Sequence, residues 1–163
     1  MTMYAPEERL GWLLADDAAL SRQCDLDFHK ASGHGGQKVN KTSSAVRILH
    51  RPTGITTVSA VFRSQTENRH DALRKLRFRI ALECRAAPAA PPETSALPSL
   101  SNKTTYLPWL AVFLDFVLTE TPVPGLSASR KEKLLRRDPD VWRFYSEWKM
   151  AAKSSAGNGG EHD

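Results

Sequence analysis

The sequence predicts an α+β fold in which a small mixed or antiparallel sheet is packed by one long helix and followed by a helical C-terminal extension. Apolar and polar residues alternate with a period of two at 25–29 and 46–48, and a run rich in β-branched residues follows at 55–62. A Ser and a Glu three positions apart form a capping box that begins a helical pattern over 64–85. Apolar and aromatic residues then recur at helical spacing over 106–152. Strands followed by helices are typical of the α+β class.

The N-terminal segment, residues 1–21, predicts an amphipathic helix. Pro6 stands at a first-turn position, followed by Glu7 and Glu8, which the positive end of the helix dipole favours. The apolar face is predicted to contain Leu10, Leu13, Leu14 and Leu20. We expect this helix to pack on the domain that follows.

The predicted strands enclose a glycine-rich loop at 32–37. In the first strand, alternation predicts that Leu26 and Phe28 lie on the buried side. The second and third strands are joined by a turn at 51–54 and together predict a hairpin. Adjacent glycines in the loop adopt backbone angles closed to other residues and let another molecule come close to the main chain.

The long helix is predicted to bury Leu73, Leu76 and Ile80 against the sheet. Its other side carries a basic face formed by Arg74, Lys75 and Arg79. Phe78 and Leu82 form a second, smaller apolar patch, which either docks another element or stays exposed on the surface.

The second half of the chain predicts a linker and a separate group of helices. Residues 86–105 are rich in proline and contain little that packs, which predicts a semi-extended linker after a catalytic domain at 22–85. Three helices over 106–152 are expected to form a bundle around their own core. The tail at 153–163 is polar and glycine-rich, which predicts disorder.

Positive charge is concentrated in one part of the chain. The net charge of the protein is +5, yet residues 21–85 hold 13 Lys and Arg against 5 Asp and Glu. Such an excess attracts a polyanion, of which nucleic acid is the commonest in the cytoplasm. A solvated basic surface is the alternative.

No stretch of the sequence predicts a membrane span, a secretory signal or a mitochondrial presequence, so we expect a cytoplasmic protein. Cys24 and Cys84 form no CxxC pair and no metal-ligand spacing, which predicts reduced, partly buried side chains and no metal or other cofactor.

Five separated blocks of the sequence keep the order and spacing of a known family. They lie at 32–42, 44–48, 52–55, 63–65 and 68–69, and the first contains Ser-Gly-His-Gly-Gly-Gln-Lys-Val-Asn-Lys-Thr. This arrangement resembles the catalytic domain of class I peptide chain release factors. Because the blocks keep register through a strand, a loop, a hairpin and a helix, the resemblance is specific.

The resemblance implies an activity at the large ribosomal subunit, where this domain promotes hydrolysis of the ester between the nascent peptide and tRNA. Carried over by position, Gly35 and Gly36 shape the loop, and Gln37 lies beside the ester. It also implies a glutamine N-methyltransferase that modifies Gln37. His34 departs from the family, in which Pro or a small residue often precedes the two glycines.

Basic side chains around the loop are expected to bind ribosomal RNA, and a basic helix at 127–137 is a second candidate for binding RNA. The predicted RNA-binding residues are Lys30, His34, Lys38, Lys41, Arg63, Arg69, Arg130, Lys131, Arg136 and Arg137. Surface solubility is the alternative for each of them.

The chain has no room for the domains with which full release factors read the stop codon. We therefore expect a monomer that hydrolyses peptidyl-tRNA on the ribosome without codon recognition, as in the rescue of stalled ribosomes. The alternatives are a non-hydrolytic RNA-binding protein of the same fold and a peptidyl-tRNA hydrolase that acts off the intact ribosome.

Overall fold

The computed structural model describes residues 2–29 and 44–157, and its elements confirm the α+β class. In these residues the elements are α1 Pro6–Leu14, α2 Asp17–Ser21, β1 Cys24–His29, β2 Ala45–His50, β3 Thr56–Ser59, α3 Gln65–Glu83, α4 Lys103–Leu118, α5 Ala128–Arg136 and α6 Pro139–Gly157. One face of the sheet packs on α3, as the sequence predicts.

The three strands form an antiparallel sheet in the order β1-β2-β3. Val46 and Ile48 of the central strand are fully buried beneath α3, and Leu26 is partly buried. The prediction for Phe28 is wrong, because its side chain is 47% exposed. The long helix packs on β2 and β3, whereas edge strand β1 contacts α2.

The predicted hairpin between β2 and β3 is confirmed, but β3 is shorter than the β-branched run. Gly54 takes the left-handed conformation, with φ of 72°, and its N–H donates to the carbonyl of His50. The strand ends at Ser59 and does not continue to Phe62. Hydrogen bonds from the first turn of α3 hold the backbone of Phe62 away from the line of the strand.

The predicted N-terminal helix is two helices, and its buried face agrees with the prediction only at Leu13 and Leu20. In α1, Arg9, Trp12 and Leu13 are buried, at positions i, i+3 and i+4, whereas Leu10 and Leu14 are exposed. The Arg9 guanidinium binds the carboxylate of Asp115 in α4. This contact turns the Arg9 side of α1 toward the core and leaves part of the apolar stripe in solvent.

The long helix begins as predicted, since the Ser64 side chain accepts a hydrogen bond from the N–H of Glu67. The three residues predicted to bury against the sheet are completely buried: Leu73, Leu76 and Ile80. Leu82 is also buried, and Phe78 packs against the core. These two line a groove with Phe144 of α6, so the C-terminal extension covers the second apolar patch.

The expectation that the last three helices have a core of their own is wrong. α4 packs directly against α3 and α1, and one cluster of buried side chains includes both Leu76 of α3 and Phe113 of α4. Ten residues of α4 are buried, which leaves it no free face for a separate bundle. α6 continues to Gly157, so residues 153–157 are helical, in contrast to the predicted disorder.

A buried charge cluster joins α1 to the end of α3 and to α4. Arg9 donates to both carboxylate oxygens of Asp115, at 2.7 and 2.6 Å, and Arg85 lies 3.1 Å from the same carboxylate. All three side chains are almost completely buried. The second positive charge is balanced by backbone carbonyls, since Arg85 also donates to Ala81 and Ala111 and Arg9 donates to Cys84. Burial lowers the pKa of Arg85 to about 10, partly opposed by Asp115.

The segment between α3 and α4 lacks regular structure, as predicted, but it packs on the protein. Leu97 and Leu100 lie against the core, and the indole N–H of Trp109 donates to the carbonyl of Glu93 at 2.6 Å. A stretch that the sequence presents as a linker is therefore a strap held against α4 and α5. We refer to residues 86–102 as the strap.

Cys24 and Cys84 are free thiols, and both are buried. Burial raises the pKa of each thiol to about 11, which makes them unreactive at neutral pH. Among the described helices, none combines the length and the apolar character that crossing a membrane requires.

Candidate functional site

The predicted catalytic loop lies between two paired strands. Phe28 pairs with Val46 and His29 with Ala45, so the chain leaves β1 and enters β2 at the same end of the sheet. Residues 30–43, between these strands, lie outside the described residues. They include seven of the predicted site residues, which are Lys30, His34, Gly35, Gly36, Gln37, Lys38 and Lys41.

Asn68 organises the described side of this end of the sheet. Its amide nitrogen donates to the carbonyls of Ser44 and Phe62, both at 2.8 Å, and its oxygen accepts from the N–H of Phe62 at 2.9 Å. The Ser44 hydroxyl lies 3.1 Å from the same nitrogen and itself donates to the Phe62 carbonyl. Asn68 is completely buried, and its hydrogen-bonding capacity is used in full. It therefore joins the start of β2 to the chain that follows β3.

Asp71 extends this polar cluster by one turn of α3. The hydroxyl of Ser59 donates to Asp71 at 2.7 Å, and Arg74 and Lys75 pair with the same carboxylate. Burial acts to raise the pKa of Asp71, but the hydrogen bonds from Arg74, Ser59 and Lys75 outweigh it and lower the pKa to about 2. Asp71 is therefore ionised at neutral pH and fixes the end of β3 to the helix.

Most of the predicted basic face of α3 serves the fold. Lys75 donates to the carbonyl of Val58, and Arg79 donates to that of Thr56 while pairing with Glu83. These two side chains cover the outer edge of β3, which blocks pairing with another strand. They are consequently poor candidates for contact with a polyanion.

Arg63 and Arg69 differ from the other basic residues of this region. Both are exposed, and neither makes an ion pair with any residue in the described ranges. Arg63 follows Phe62, and Arg69 follows Asn68, so the hydrogen bonds between Asn68 and Phe62 bring them to the same end of the sheet. Two of the predicted RNA-binding residues thus lie next to residues that are bonded to Ser44, at the start of β2.

The basic helix α5 presents fewer free cations than its sequence suggests. Arg130 donates to the strap carbonyl of Thr94 at 2.7 Å, and Arg137 donates to that of Pro98 at 3.0 Å. Arg136 pairs with Glu132 and lies 3.8 Å above the ring of Trp142. The fourth predicted residue is Lys131, which is partly buried beside α4. Three of the four predicted side chains thus hold structure together.

Replacing Arg137 with alanine is expected to loosen the strap and to lower the free energy of unfolding by about 1 kcal/mol, because the carbonyl of Pro98 loses its partner. Urea unfolding measures the change, and hydrogen exchange at 97–100 locates it. Lys133, exposed on the same helix, is the control, and its replacement with alanine is expected to change stability by less than about 0.5 kcal/mol. Equal effects of the two substitutions would show that Arg137 does not hold the strap.

Within the described ranges, 2–29 and 44–157, no group of three or more His, Cys, Asp or Glu side chains is arranged to hold a metal ion. His50, the most buried histidine of this part, bonds to Thr53 and lies edge-on to Trp12. Burial lowers its pKa to about 4, so it is neutral and part of the core.

Sequence reasoning missed Asn68 and Ser44 as organisers of the site. Both stand within the blocks that carry the family resemblance, but nothing in their spacing predicts that they meet. The only local indication concerns Asn68, an uncharged polar residue in the first turn of α3 that lies on the same side as the buried Asp71 and Ala72.

Comparison with known proteins places these features in a family. A family model described as the RF-1 domain matches residues 19–104. Peptide chain release factor 2 of Thermomicrobium roseum is 47% identical over 81 residues, which are 48% of this chain and 22% of that protein. Peptide chain release factor 1 of Acidiphilium cryptum is 54% identical over 65 residues, 40% of this chain and 18% of the relative. Peptide chain release factor 2 of Lactiplantibacillus plantarum is 58% identical over 55 residues, which are 34% of this chain and 15% of that protein. The chain therefore spans about a fifth of the length of these curated relatives.

Proposed function

Because the chain belongs to the RF-1 domain family, we propose that it promotes hydrolysis of the ester between a nascent peptide and tRNA in the peptidyl transferase centre of the ribosome. The observation that carries the proposal is the intact Gly35-Gly36-Gln37 sequence between β1 and β2. The Asn68 hydrogen bonds support it, because they fix the residue at which the chain enters β2.

The chemistry assigned to Gln37 follows from the reaction. Attack of water on an ester builds negative charge on oxygen, and a backbone N–H placed there stabilises that charge without reorganisation. The preceding glycines allow this N–H to approach among crowded RNA. The side-chain amide of Gln37 has both a donor and an acceptor, so it positions water and excludes larger nucleophiles. No general base from this chain is required.

We also propose that the protein releases the peptide without reading a stop codon, as in the rescue of stalled ribosomes in the cytoplasm. The helical extension, which lies beyond the family match except for the first two residues of α4, supports it, because α4 packs on α3 and is tied to α1 through Asp115. In this proposal the extension, held rigidly to the catalytic module, takes part in recognising the stalled complex. The protein acts as a monomer, and a glutamine N-methyltransferase modifies Gln37.

The test is release of labelled peptide from four substrates: ribosomes stalled on truncated mRNA, ribosomes with a stop codon in the A site, isolated large subunits and free peptidyl-tRNA. We expect release from the stalled ribosomes. Gln37→Pro lacks the N–H and is expected to lower the rate at least about a hundredfold. Gln37→Ala keeps the N–H and is expected to lower it less.

Gln65→Ala provides a matched control, because Gln65 is exposed at the start of α3 and makes no hydrogen bond with described residues through its side chain. Equal release above background by the wild type and Gln37→Pro would reject the catalytic role of Gln37, and no release by the wild type from any substrate would favour RNA binding alone. Release only from free peptidyl-tRNA would indicate a hydrolase that acts off the ribosome. Release only from ribosomes with a stop codon in the A site would reject rescue.

A further inference from the structure

The chain directly after β3 exposes two apolar side chains. Val61 is 74% exposed and Phe62 is 43% exposed, and together with Arg63 they form a bend between β3 and α3. We call residues 61–63 the bend. The ring of Phe62 is not part of the core cluster, so the fold does not need it. Exposed apolar groups next to each other indicate a contact surface more often than isolated ones do.

The backbone of the bend is held in one conformation. Asn68 bonds to both the N–H and the carbonyl of Phe62, at 2.9 and 2.8 Å, and the Ser44 hydroxyl bonds to the same carbonyl at 2.8 Å. Three partly buried hydrogen bonds on one exposed residue leave its backbone little freedom. A partner that contacts the Phe62 ring therefore loses little chain entropy on binding, which is the advantage of a preorganised surface.

Two arginines without an ion-pair partner among the described residues stand at the bend, Arg63 within it and Arg69 beside it. Arg63 and Arg69 are exposed without an ion pair among the described residues, whereas Arg74 and Arg79 on the same helix are paired with Asp71 and Glu83. An apolar protein surface would have to desolvate two guanidinium groups in order to cover this bend. An unstacked nucleic acid base followed by phosphates matches both features.

We propose that the bend is a docking surface for single-stranded RNA, in which the Phe62 ring stacks on an unpaired base and Arg63 and Arg69 bind the adjacent phosphates. Val61 extends the apolar surface beside the ring. The identity of the RNA as ribosomal RNA rests on the proposed function, whereas the binding of unpaired RNA does not. Stacking on a phenylalanine ring does not discriminate among bases, so the surface recognises unpaired RNA and not a sequence.

Anisotropy of a labelled short oligouridylate, titrated with the full chain at several salt concentrations, tests the proposal. Phe62→Ser removes the ring but keeps the backbone hydrogen bonds, and we expect about a tenfold loss of affinity with an unchanged salt slope. Arg63→Gln with Arg69→Gln is expected to lower the slope of log K against log salt by about 1.4, or about 0.7 for each lost phosphate contact. The affinity for an RNA duplex is expected to be unchanged by Phe62→Ser, because a duplex has no unpaired base to stack on the ring.

Met150→Ser is the matched control, because Met150 is 70% exposed on α6, which runs past the C-terminal end of α3, whereas the bend precedes its N-terminal end. Equal losses with Phe62→Ser and Met150→Ser, or an unchanged salt slope without the two arginines, would overturn the proposal. So would a loss of binding of Phe62→Ser to isolated large subunits with no loss of binding to oligouridylate, since the ring would then contact a ribosomal protein or folded RNA and not an unpaired base. None of these measurements involves ester hydrolysis, so the proposal stands or falls separately from peptide release by Gln37.

Discussion

Asp115→Asn is expected to lower the free energy of unfolding by about 3–5 kcal/mol, although the substitution removes only one charge. The carboxylate is the sole acidic partner of Arg9 and Arg85 among the described residues, and all three side chains are buried. Without it, two guanidinium groups stay in the interior with only carbonyl partners. Because the cluster joins α1, the end of α3 and α4, the loss is expected across the whole protein in urea unfolding.

Two comparisons make this prediction specific. Asp140→Asn breaks an exposed pair with Arg143 and is expected to change stability by less than about 1 kcal/mol. Replacing the cluster with Met at Arg9 and Arg85 and Leu at Asp115 removes all three charges, and such replacements are often neutral or stabilising. If Asp115→Asn destabilised the protein no more than Asp140→Asn, the charge cluster would not hold the helices together.

Asn68→Ala is expected to lower the free energy of unfolding by about 3 kcal/mol, because it leaves several buried or partly buried polar groups without partners. These groups are the carbonyl of Ser44 and the N–H of Phe62, while the carbonyl of Phe62 loses one of its two donors and keeps the Ser44 hydroxyl. The effect is expected to exceed that of deleting an apolar group of similar size, since the alanine methyl satisfies none of them. Thermal and urea unfolding give the magnitude, and hydrogen exchange at Phe62 reports the local loss.

The neighbouring position serves as the control for this prediction. Arg69→Ala changes an exposed residue of the same helical turn and is expected to alter stability by less than about 0.5 kcal/mol. Asn68→Asp keeps the acceptor but loses the donors and buries a charge, so we expect it to destabilise at least as much as alanine. A stability of Asn68→Ala equal to that of the wild type would mean that water replaces the amide at no cost.

Local patterns were sufficient for most of the fold. The alternation around Val46 and Ile48, the turn at Gly54 and the capping box at Ser64 each depend on neighbours in sequence, and each is confirmed. Patterns failed where a distant residue decided the outcome. Leu10 and Leu14 belong to an amphipathic stripe, but Arg9 binds Asp115 and turns another face inward.

The C-terminal half shows the same limit. The proline-rich composition of the strap predicted a linker, because composition cannot show that Arg130 and Arg137 bond to its carbonyls. The sequence also predicts that those two arginines bind RNA, because it cannot show whether the cations of a basic helix are exposed or bonded to the rest of the protein. The roles of the predicted catalytic and RNA-binding residues remain predictions, which the proposed experiments address.

Residue order alone was enough to establish the strands, the long helix, the glycine-rich segment between β1 and β2, and membership of the RF-1 domain family. These features depend on backbone preferences and spacing, which are properties of neighbouring residues. Only the folded chain decided which face of α1 is buried, which arginines are left exposed, and how Asn68 joins Ser44 to Phe62. These outcomes depend on hydrogen bonds and ion pairs between residues far apart in sequence, which exist only once the core has formed.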